Sequence, residues 1–302
     1  MVKNLVLENI SVGFKLPQGV FYAVDDVSLS LPGGNFTAII GESGCGKSVL
    51  GQAILNILPS GVIKKGRVLY NGEQVKKILS AFGIIPQNPS ESLNPVRKIG
   101  KQMQDILDVH NIADSSNSYK KQCLRLFGLQ EAERVLAAYP HELSDGMLQR
   151  VLCAMAVSSK PEWILADEPT KGLDEQVGTV VRKNLLTIKQ DLHLSMLIIT
   201  HDIALAQEVC DDVLVMYAGQ VLEHNADIWH KPLHPYTKGF LKALPKNGLQ
   251  VIQGKAPVPG ESFTGCKFAA RCPYCTTRCK EEKPAMQQVG NAEVRCFLYA
   301  EG

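Results

Sequence analysis

The sequence predicts an α/β fold: a largely parallel sheet flanked by helices, with an antiparallel layer and a helical insertion. Two observations support this prediction. Short apolar runs of strand length recur along the chain, and each is followed by a segment with helical character, an order typical of parallel sheets. Between residues 89 and 160 strand patterns disappear and helical patterning dominates, so we expect an inserted helical subdomain there.

The individual elements follow from local patterns. Polar and apolar residues alternate in Val6–Val12 and Val24–Leu31, as expected for half-exposed antiparallel strands. Buried strands are predicted at four apolar runs: Phe36–Gly41, Trp163–Asp167, Met196–Thr200 and Val213–Gly219. Helices are predicted from Lys47 onward, near Gln176–Leu192, and over Asp202–Cys210.

After about His230 the sequence becomes rich in Pro, Gly and Cys and loses periodicity. We therefore expect two domains: residues 1–230, which include the helical subdomain at about 89–160, and a C-terminal extension over residues 231–302.

Composition excludes several classes of protein. The 302 residues are 45% hydrophobic and 21% charged, which is ordinary for a globular chain. The net charge of +2 is spread along the chain without a basic stripe, so no nucleic-acid partner is expected. Apolar runs fall short of the roughly 18 residues that span a bilayer. The N-terminus has no secretion-signal pattern, and we expect a cytoplasmic protein.

A phosphate-binding motif follows the first predicted buried strand. Residues 41–48 fit G-x-x-x-x-G-K-[ST], between a strand and a helix, as the motif requires. Glycines let backbone N–H groups surround phosphate oxygens, Lys47 reaches the β- and γ-phosphates, and the Ser48 hydroxyl binds Mg²⁺. The alternative is a plain glycine-rich turn. The residues expected to bind nucleotide here are Gly41, Ser43, Gly44, Cys45, Gly46, Lys47, Ser48 and Val49.

Cys45 lies inside this loop, beside Lys47 and a helix N-terminus. Both surroundings favour a thiolate, so the sequence predicts a lowered thiol pKa and inhibition by maleimide, with protection by ATP.

A second motif is the acidic pair Asp167 and Glu168, at the end of the predicted strand Trp163–Asp167. An acidic pair at the end of a buried strand is costly without a cation. We expect Asp167 to serve Mg²⁺ and Glu168 to polarise the attacking water as general base. The alternative is that both acids cap the next helix.

Together these residues resemble the ATP-binding-cassette (ABC) ATPases, a family of P-loop NTPases with a RecA-like core. Leu143–Arg150 looks like the signature motif of that family. The resemblance implies ATP and Mg²⁺ as ligands, and catalytic roles for Glu168, His201 and Gln87. Gln87 would be the Q-loop residue and His201 the switch histidine that contacts the γ-phosphate. The alternative for His201 is a helix cap or a surface residue. The resemblance also assigns Gln87 to Mg²⁺, and it assigns Asp174 to the D-loop.

The adenine-stacking aromatic is expected at Phe14 by the same resemblance, with Phe21, Tyr22 or a plain core role as competing interpretations. The family mechanism pairs two such domains around two ATP molecules. Each phosphate loop faces the partner's signature helix, where Ser144 and Gly146 bind the γ-phosphate. At Asp145, the signature departs from the usual glycine.

The C-terminal region is the branch-specific feature. The runs His230–Leu241 and Gly265–Pro273 resemble the extension of dipeptide, oligopeptide and nickel importer ATPases. This implies a second, non-identical ATPase subunit, two membrane permeases and an extracytoplasmic substrate-binding protein, with the chain peripheral at the cytoplasmic face of the membrane. Short matches at Ile57–Val62 and Gly146–Arg150 lean towards nickel importers, so peptide and nickel or metal-chelate substrates both stay open.

Five of the nine cysteines fall in the spacing C-x5-C-x2-C-x3-C-x16-C from Cys266. Four match the branch pattern, whereas Cys275 is extra; the four are Cys266, Cys272, Cys279 and Cys296. Such thiolates suit a [4Fe-4S] cluster or a tetrahedral Zn²⁺, and the alternative is a set of reduced cysteines.

Two other functions compete with the importer. A soluble ABC ATPase of DNA repair, translation or cluster assembly would usually show a coiled-coil insertion, a second cassette or basic tracts, and none is visible. A non-hydrolysing regulatory subunit would lack Lys47, Glu168 or His201, and all three are present.

Overall fold

The computed structural model describes residues 3–17, 19–74, 81–245, 248–258, 261 and 263–300. The chain forms two compact units. The first consists of Met1–Asn4, Pro32–Phe36 and Lys76–Val209, and the second of Leu5–Leu31, Thr37–Val75 and Cys210–Gly302. The predicted domain boundary at residue 230 falls inside the second unit and stays a prediction.

The strands described are, in chain order, β1 (Leu5–Leu16), β2 (Gly19–Leu31), β3 (Phe36–Ile40), β4 (Ile63–Tyr70), β5 (Glu73–Gln74), β6 (Phe82–Ile85), β7 (Trp163–Asp167), β8 (Ser195–Ile199), β9 (Asp212–Tyr217), β10 (Gln220–Asn225), β11 (Gln287–Val289) and β12 (Ala292–Val294). The α-helices are α1 (Lys47–Leu55), α2 (Pro89–Ser92), α3 (Ile99–Val109), α4 (Asn117–Leu126), α5 (Ala132–Ala137), α6 (Asp145–Ser158), α7 (Glu175–Thr187), α8 (Ile203–Val209), α9 (Pro235–Lys242) and α10 (Thr277–Glu281).

The first unit contains a parallel arrangement of β6, β7 and β8. Trp163 pairs with Phe82 on one side and with Ser195 on the other. β8 is buried along its whole length, and β7 is buried up to its last residue, because apolar residues occupy both faces of these strands. Every regular element described between residues 89 and 160 is helical, as the sequence predicted.

The second unit contains an antiparallel sheet with the strand order β2-β1-β4-β5. In the same unit β3 and β9 are parallel, and β9, β10, β12 and β11 follow as antiparallel neighbours. The predicted α/β class, with parallel pairing and a separate antiparallel layer, is thereby confirmed.

Several strands were missed because their sequences lack a clean pattern. β4 has lysines as its second and third residues and contains Gly66, whose φ is 79°. A side chain there would come within 2.3 Å of the Glu8 carbonyl oxygen, so glycine lets β4 pass a register shift in β1. β11 and β12 have three residues each, too few for an alternation to show.

Helix ends follow ordinary capping chemistry. Side chains of Ser116, Ser144 and Asp174 accept backbone N–H bonds at the starts of α4, α6 and α7. The predicted helix near 176–192 is observed as α7 followed by a π-helical turn, Ile188–Leu192. Among the helices that the structure describes, none is long and apolar enough to cross a membrane.

Candidate nucleotide site

The phosphate loop joins β3 to α1 in the second unit. Two of its glycines have left-handed backbone angles, with φ of 151° at Gly41 and 105° at Gly46. A Cβ at Gly41 would lie 2.2 Å from the Met216 carbonyl oxygen, and one at Gly46 would lie 2.1 Å from that of Ala23. Only glycine fits at both positions, so the loop is held close against neighbouring backbone.

Lys47 is buried and faces the loop. Its Nζ donates to the carbonyl oxygens of Gly41 and Glu42 at 2.9 and 3.1 Å. Gly46 precedes α1 and offers no side chain to cap its first N–H groups. A cation and a helix N-terminus therefore share this loop, which is the arrangement that binds phosphate. The other predicted nucleotide ligands here, Ser43, Gly44, Cys45, Ser48 and Val49, lie in the same loop and first helical turn.

The predicted lowering of the Cys45 thiol pKa is wrong. Burial raises the pKa of the Cys45 thiol, whose residue is only 6% exposed, and the charge of Lys47, with Nζ 3.9 Å from Sγ, lowers it by less. The thiol is therefore protonated near neutral pH, and inhibition by maleimide stays a prediction that no longer has support from the thiol pKa. The sequence showed the neighbouring charge but not the burial that outweighs it.

In the first unit Glu168 directly follows Asp167, the half-buried last residue of β7. Its φ is 48°, an unusual value for a residue with a side chain, and its N–H donates to the Ile199 carbonyl at 2.7 Å. The Glu168 side chain is 12% exposed, and its Oε2 lies 2.6 Å from His201 Nδ1. The same oxygen accepts the His201 backbone N–H at 3.3 Å.

The parallel pairing of β7 and β8 explains why these two residues meet, because Asp167 and Ile199 are register partners and each functional side chain follows one of them. A left-handed backbone at a non-glycine residue costs about 1–3 kcal/mol and is common at functional sites. One oxygen of Glu168 is engaged by His201. A carboxylate placed in this way can polarise a water molecule as a general base.

A network that sequence reasoning missed anchors the residue after His201. Asp202 accepts hydrogen bonds from Thr170 and Arg182, each at 3.3 Å, and from the Leu205 N–H at 3.0 Å. Burial alone would raise the pKa of Asp202, but these partners lower it below its usual value. The charged carboxylate fixes the start of α8, and with it the segment that carries His201. No motif signals this network, since its members are dispersed in sequence.

The signature segment forms the start of α6. Ser144 is the N-cap, with its hydroxyl accepting the Met147 N–H at 3.4 Å. Asp145 is the first helical residue and is exposed, and Gly146 follows it, half-buried. The cap is therefore Ser144, not Asp145.

Two further predicted residues lie in the first unit. Gln87 comes two residues after β6 and is half-buried. Asp174 caps α7 by accepting the Val177 N–H at 2.8 Å. Their assigned roles toward nucleotide and Mg²⁺ stay predictions.

The aromatic residues proposed for adenine lie on β1 and β2 of the second unit. Phe14 and Phe21 are register partners. A cavity of about 310 Å³ is lined by Phe21 and Tyr22 together with Gly44 of the phosphate loop, and Phe14 is not among its described lining residues. Phe21 and Tyr22 therefore lie beside the phosphate loop, and the identity of the adenine-stacking aromatic stays a prediction.

No disulfide joins any of the nine cysteines, all of which lie within the described residues. One cavity of about 180 Å³ is lined by the cysteine cluster, the four residues Cys266, Cys272, Cys279 and Cys296, whereas Cys275 is not among its described lining residues. Burial and the neighbouring thiols raise the pKa of Cys266 to about 11. Within the described residues, no group of three or more His, Cys, Asp or Glu side chains is arranged to hold a metal ion.

Comparisons with known proteins agree with this geometry. Residues 24–171 match the ABC transporter family, and residues 222–279 match the oligopeptide/dipeptide transporter C-terminal region. The oligopeptide transport ATP-binding protein OppD of Haemophilus influenzae is 33% identical over 316 residues, covering 98% of each chain. The dipeptide transport ATP-binding protein DppD of Escherichia coli is 35% identical, covering 95% of this chain and 94% of that one.

Solved structures show the same fold. The protein cbiO1 of Clostridium perfringens, part of the ABC transporter complex cbiONQ, has a TM-score of 0.61 at 26% identity and covers 74% of this chain and 88% of its own. The ATP-binding cassette MJ0796, in a dimeric post-hydrolysis state bound to ADP and Pi, has a TM-score of 0.61 at 25% identity. The match covers 73% of this chain and 97% of that one. The chain therefore belongs to the ABC transporter ATP-binding proteins, in the branch with the oligopeptide/dipeptide C-terminal region, and is an ATPase of that family.

Proposed function

We propose that this chain is the ATP-hydrolysing subunit of a bacterial peptide importer and drives uptake through membrane permeases. The main support is the match of residues 222–279 to the C-terminal region named for oligopeptide and dipeptide transporters. The relatives named above carry the same two substrate classes in their names. Because these relatives are named for peptide transport, we favour peptides over nickel or metal chelates as the substrate.

The catalytic proposal rests on the Glu168–His201 pair. Glu168 takes the proton of the attacking water, and His201, 2.6 Å away, orients the carboxylate. Lys47 holds phosphate charge from the loop. Oxygen donors suit Mg²⁺, and the proposed ligands Ser48, Gln87 and Asp167 offer a hydroxyl, an amide and a carboxylate. When bound, Mg²⁺ neutralises phosphate charge and orients the γ-phosphoryl group.

The partners are proposed from the same branch. A second, non-identical ATPase completes two composite sites, and two permeases and a substrate-binding protein deliver the peptide. The chain would then lie at the cytoplasmic face of the membrane without crossing it. The competing hypothesis of a non-hydrolysing regulatory subunit is disfavoured, because Lys47, Glu168 and His201 are all present.

Transport assays in the source bacterium test the proposal. Deleting this gene should abolish uptake of labelled di- or oligopeptides and leave ⁶³Ni²⁺ uptake intact. Wild-type protein should restore peptide uptake, whereas Glu168→Gln should not. Loss of nickel uptake alone would assign the chain to a nickel importer, and loss of neither would favour a soluble ATPase.

The cysteine cluster is the proposed site for an iron–sulfur cluster or Zn²⁺. The donor chemistry fits, because four thiols line one cavity, although the described residues are not arranged to hold a metal ion as they stand. Cys266, Cys272, Cys279 and Cys296 would hold the metal, and the chemistry supplied would be structural crosslinking of the loop-rich region.

Metal analysis of protein purified without oxygen should find about four Fe, or about one Zn, per chain. Cys272→Ser or Cys279→Ser should release the metal. Cys275→Ser is the matched control and should retain it, because Cys275 does not line the cavity. Absence of both metals from the wild-type protein would show that the cysteines are simply reduced thiols.

A further inference from the structure

One guanidinium of the C-terminal region contacts the phosphate loop. Arg271 Nη1 lies 3.1 and 3.2 Å from the two carboxylate oxygens of Glu42, the second residue of the loop. The Arg271 side chain is 8% exposed and that of Glu42 is 28% exposed, so the pair is only partly screened by water. These residues are 229 positions apart, and Glu42 occupies a variable position of the G-x-x-x-x-G-K-[ST] motif, where no particular residue is required.

Arg271 is held rigidly in this position. Its Nη1 also donates to the Tyr217 hydroxyl at 3.2 Å, and its Nε donates to the Gln253 carbonyl oxygen at 3.3 Å. The guanidinium lies 5.6 Å from the centre of the Tyr217 ring and 6.0 Å from that of Phe268. The charge is therefore oriented before any nucleotide arrives.

Glu42 in turn connects to the residue that binds phosphate. Its backbone N–H donates to the Tyr236 hydroxyl at 3.1 Å, and its carbonyl oxygen accepts from Lys47 Nζ at 3.1 Å. Its carboxylate adds a negative charge to a loop whose ligand is also negative. If it were unpaired, that charge would repel the phosphates. The loop backbone next to Lys47 would also lose a contact that holds it in place.

We propose that Arg271 is a positioning residue for the ATP site: it neutralises Glu42 and fixes the start of the phosphate loop. It acts on ATP through Glu42 and does not itself contact phosphate. The C-terminal region then contributes to nucleotide affinity in this chain, whatever substrate the transporter carries.

Kd for MgATP and steady-state ATPase kinetics test this inference. Arg271→Ala should raise Kd and KM for ATP roughly tenfold, with a smaller change in kcat, because an unpaired carboxylate remains in the loop. The double variant Arg271→Ala/Glu42→Gln should recover most of the lost affinity, since the repelling charge is gone. Arg271→Lys should fall between, because it keeps the charge but loses the planar fork.

Arg278→Ala is the matched control. Arg278 also lies in the C-terminal region, but it pairs with Glu282 and packs over Phe297, and neither partner belongs to the phosphate loop. It should leave Kd for ATP unchanged. Thermal unfolding checks that each variant is folded, and if Arg271→Ala is not, Arg271→Lys with and without Glu42→Gln decides the question. An unchanged Kd in Arg271→Ala, or no recovery in the double variant, would overturn the proposal.

Discussion

Glu168→Gln is expected to reduce ATP turnover by roughly a hundredfold or more while ATP binding stays close to that of the wild-type protein. Glutamine keeps the shape of the side chain and its contact with His201, but it is not basic enough to take a proton from water. Binding depends on the phosphate loop and Lys47, which the substitution leaves in place. The ATP-bound dimer should therefore accumulate.

Single-turnover hydrolysis and equilibrium binding of ATP measure the two effects separately. Glu162→Gln is the matched control, since Glu162 lies at the other end of β7 and pairs with Lys3 at 3.0 Å. It should hydrolyse ATP at the wild-type rate. Near-normal turnover in Glu168→Gln would remove Glu168 from the role of general base.

Much of the fold was predictable because the central strands are apolar on both faces. β3, β7, β8 and β9 were all predicted from such runs, and the phosphate loop, Glu168 and His201 follow the first three of them. The same apolar runs therefore indicate both the strands and the candidate functional residues, because polar residues at the ends of buried strands are easy to recognise.

The features that the sequence did not reveal depend on long-range packing. The pairing of Arg271 with Glu42 joins residues from opposite ends of the chain, and no local pattern marks either one. The predicted lowering of the Cys45 thiol pKa was wrong for a related reason. That pKa depends on the burial of the thiol as well as on its neighbours in sequence. Single-sequence reasoning detects neighbouring charge but not desolvation.

Asp145 provides the second large expected effect, in the assembled heterodimer proposed above. Asp145 is exposed at the start of α6, and its carboxylate makes no hydrogen bond or ion pair with the part of the chain that the structure describes. Ser144 already supplies the helix cap, so a capping role for Asp145 is not needed. Its carboxylate would face the γ-phosphate bound to the partner's phosphate loop.

Two like charges about 5 Å apart, at an effective dielectric constant near 20, repel strongly enough to change an equilibrium roughly a hundredfold. The composite site that uses this signature should therefore bind ATP but hydrolyse it poorly. The other site, with this chain's Lys47, Glu168 and His201, should carry most of the turnover.

Mutations in both subunits of the heterodimer separate the two sites. Glu168→Gln in this chain should remove nearly all ATPase activity, whereas the matching change in the partner should remove little. Asp145→Gly should raise hydrolysis at the partner's site, because it removes the repelling charge and leaves the Ser144 cap intact. Asp145→Asn is the matched control for shape and should act in the same direction. Equal losses from the two glutamate substitutions, with no gain from Asp145→Gly, would show that the two sites are equivalent and that the Asp145 carboxylate points away from the nucleotide.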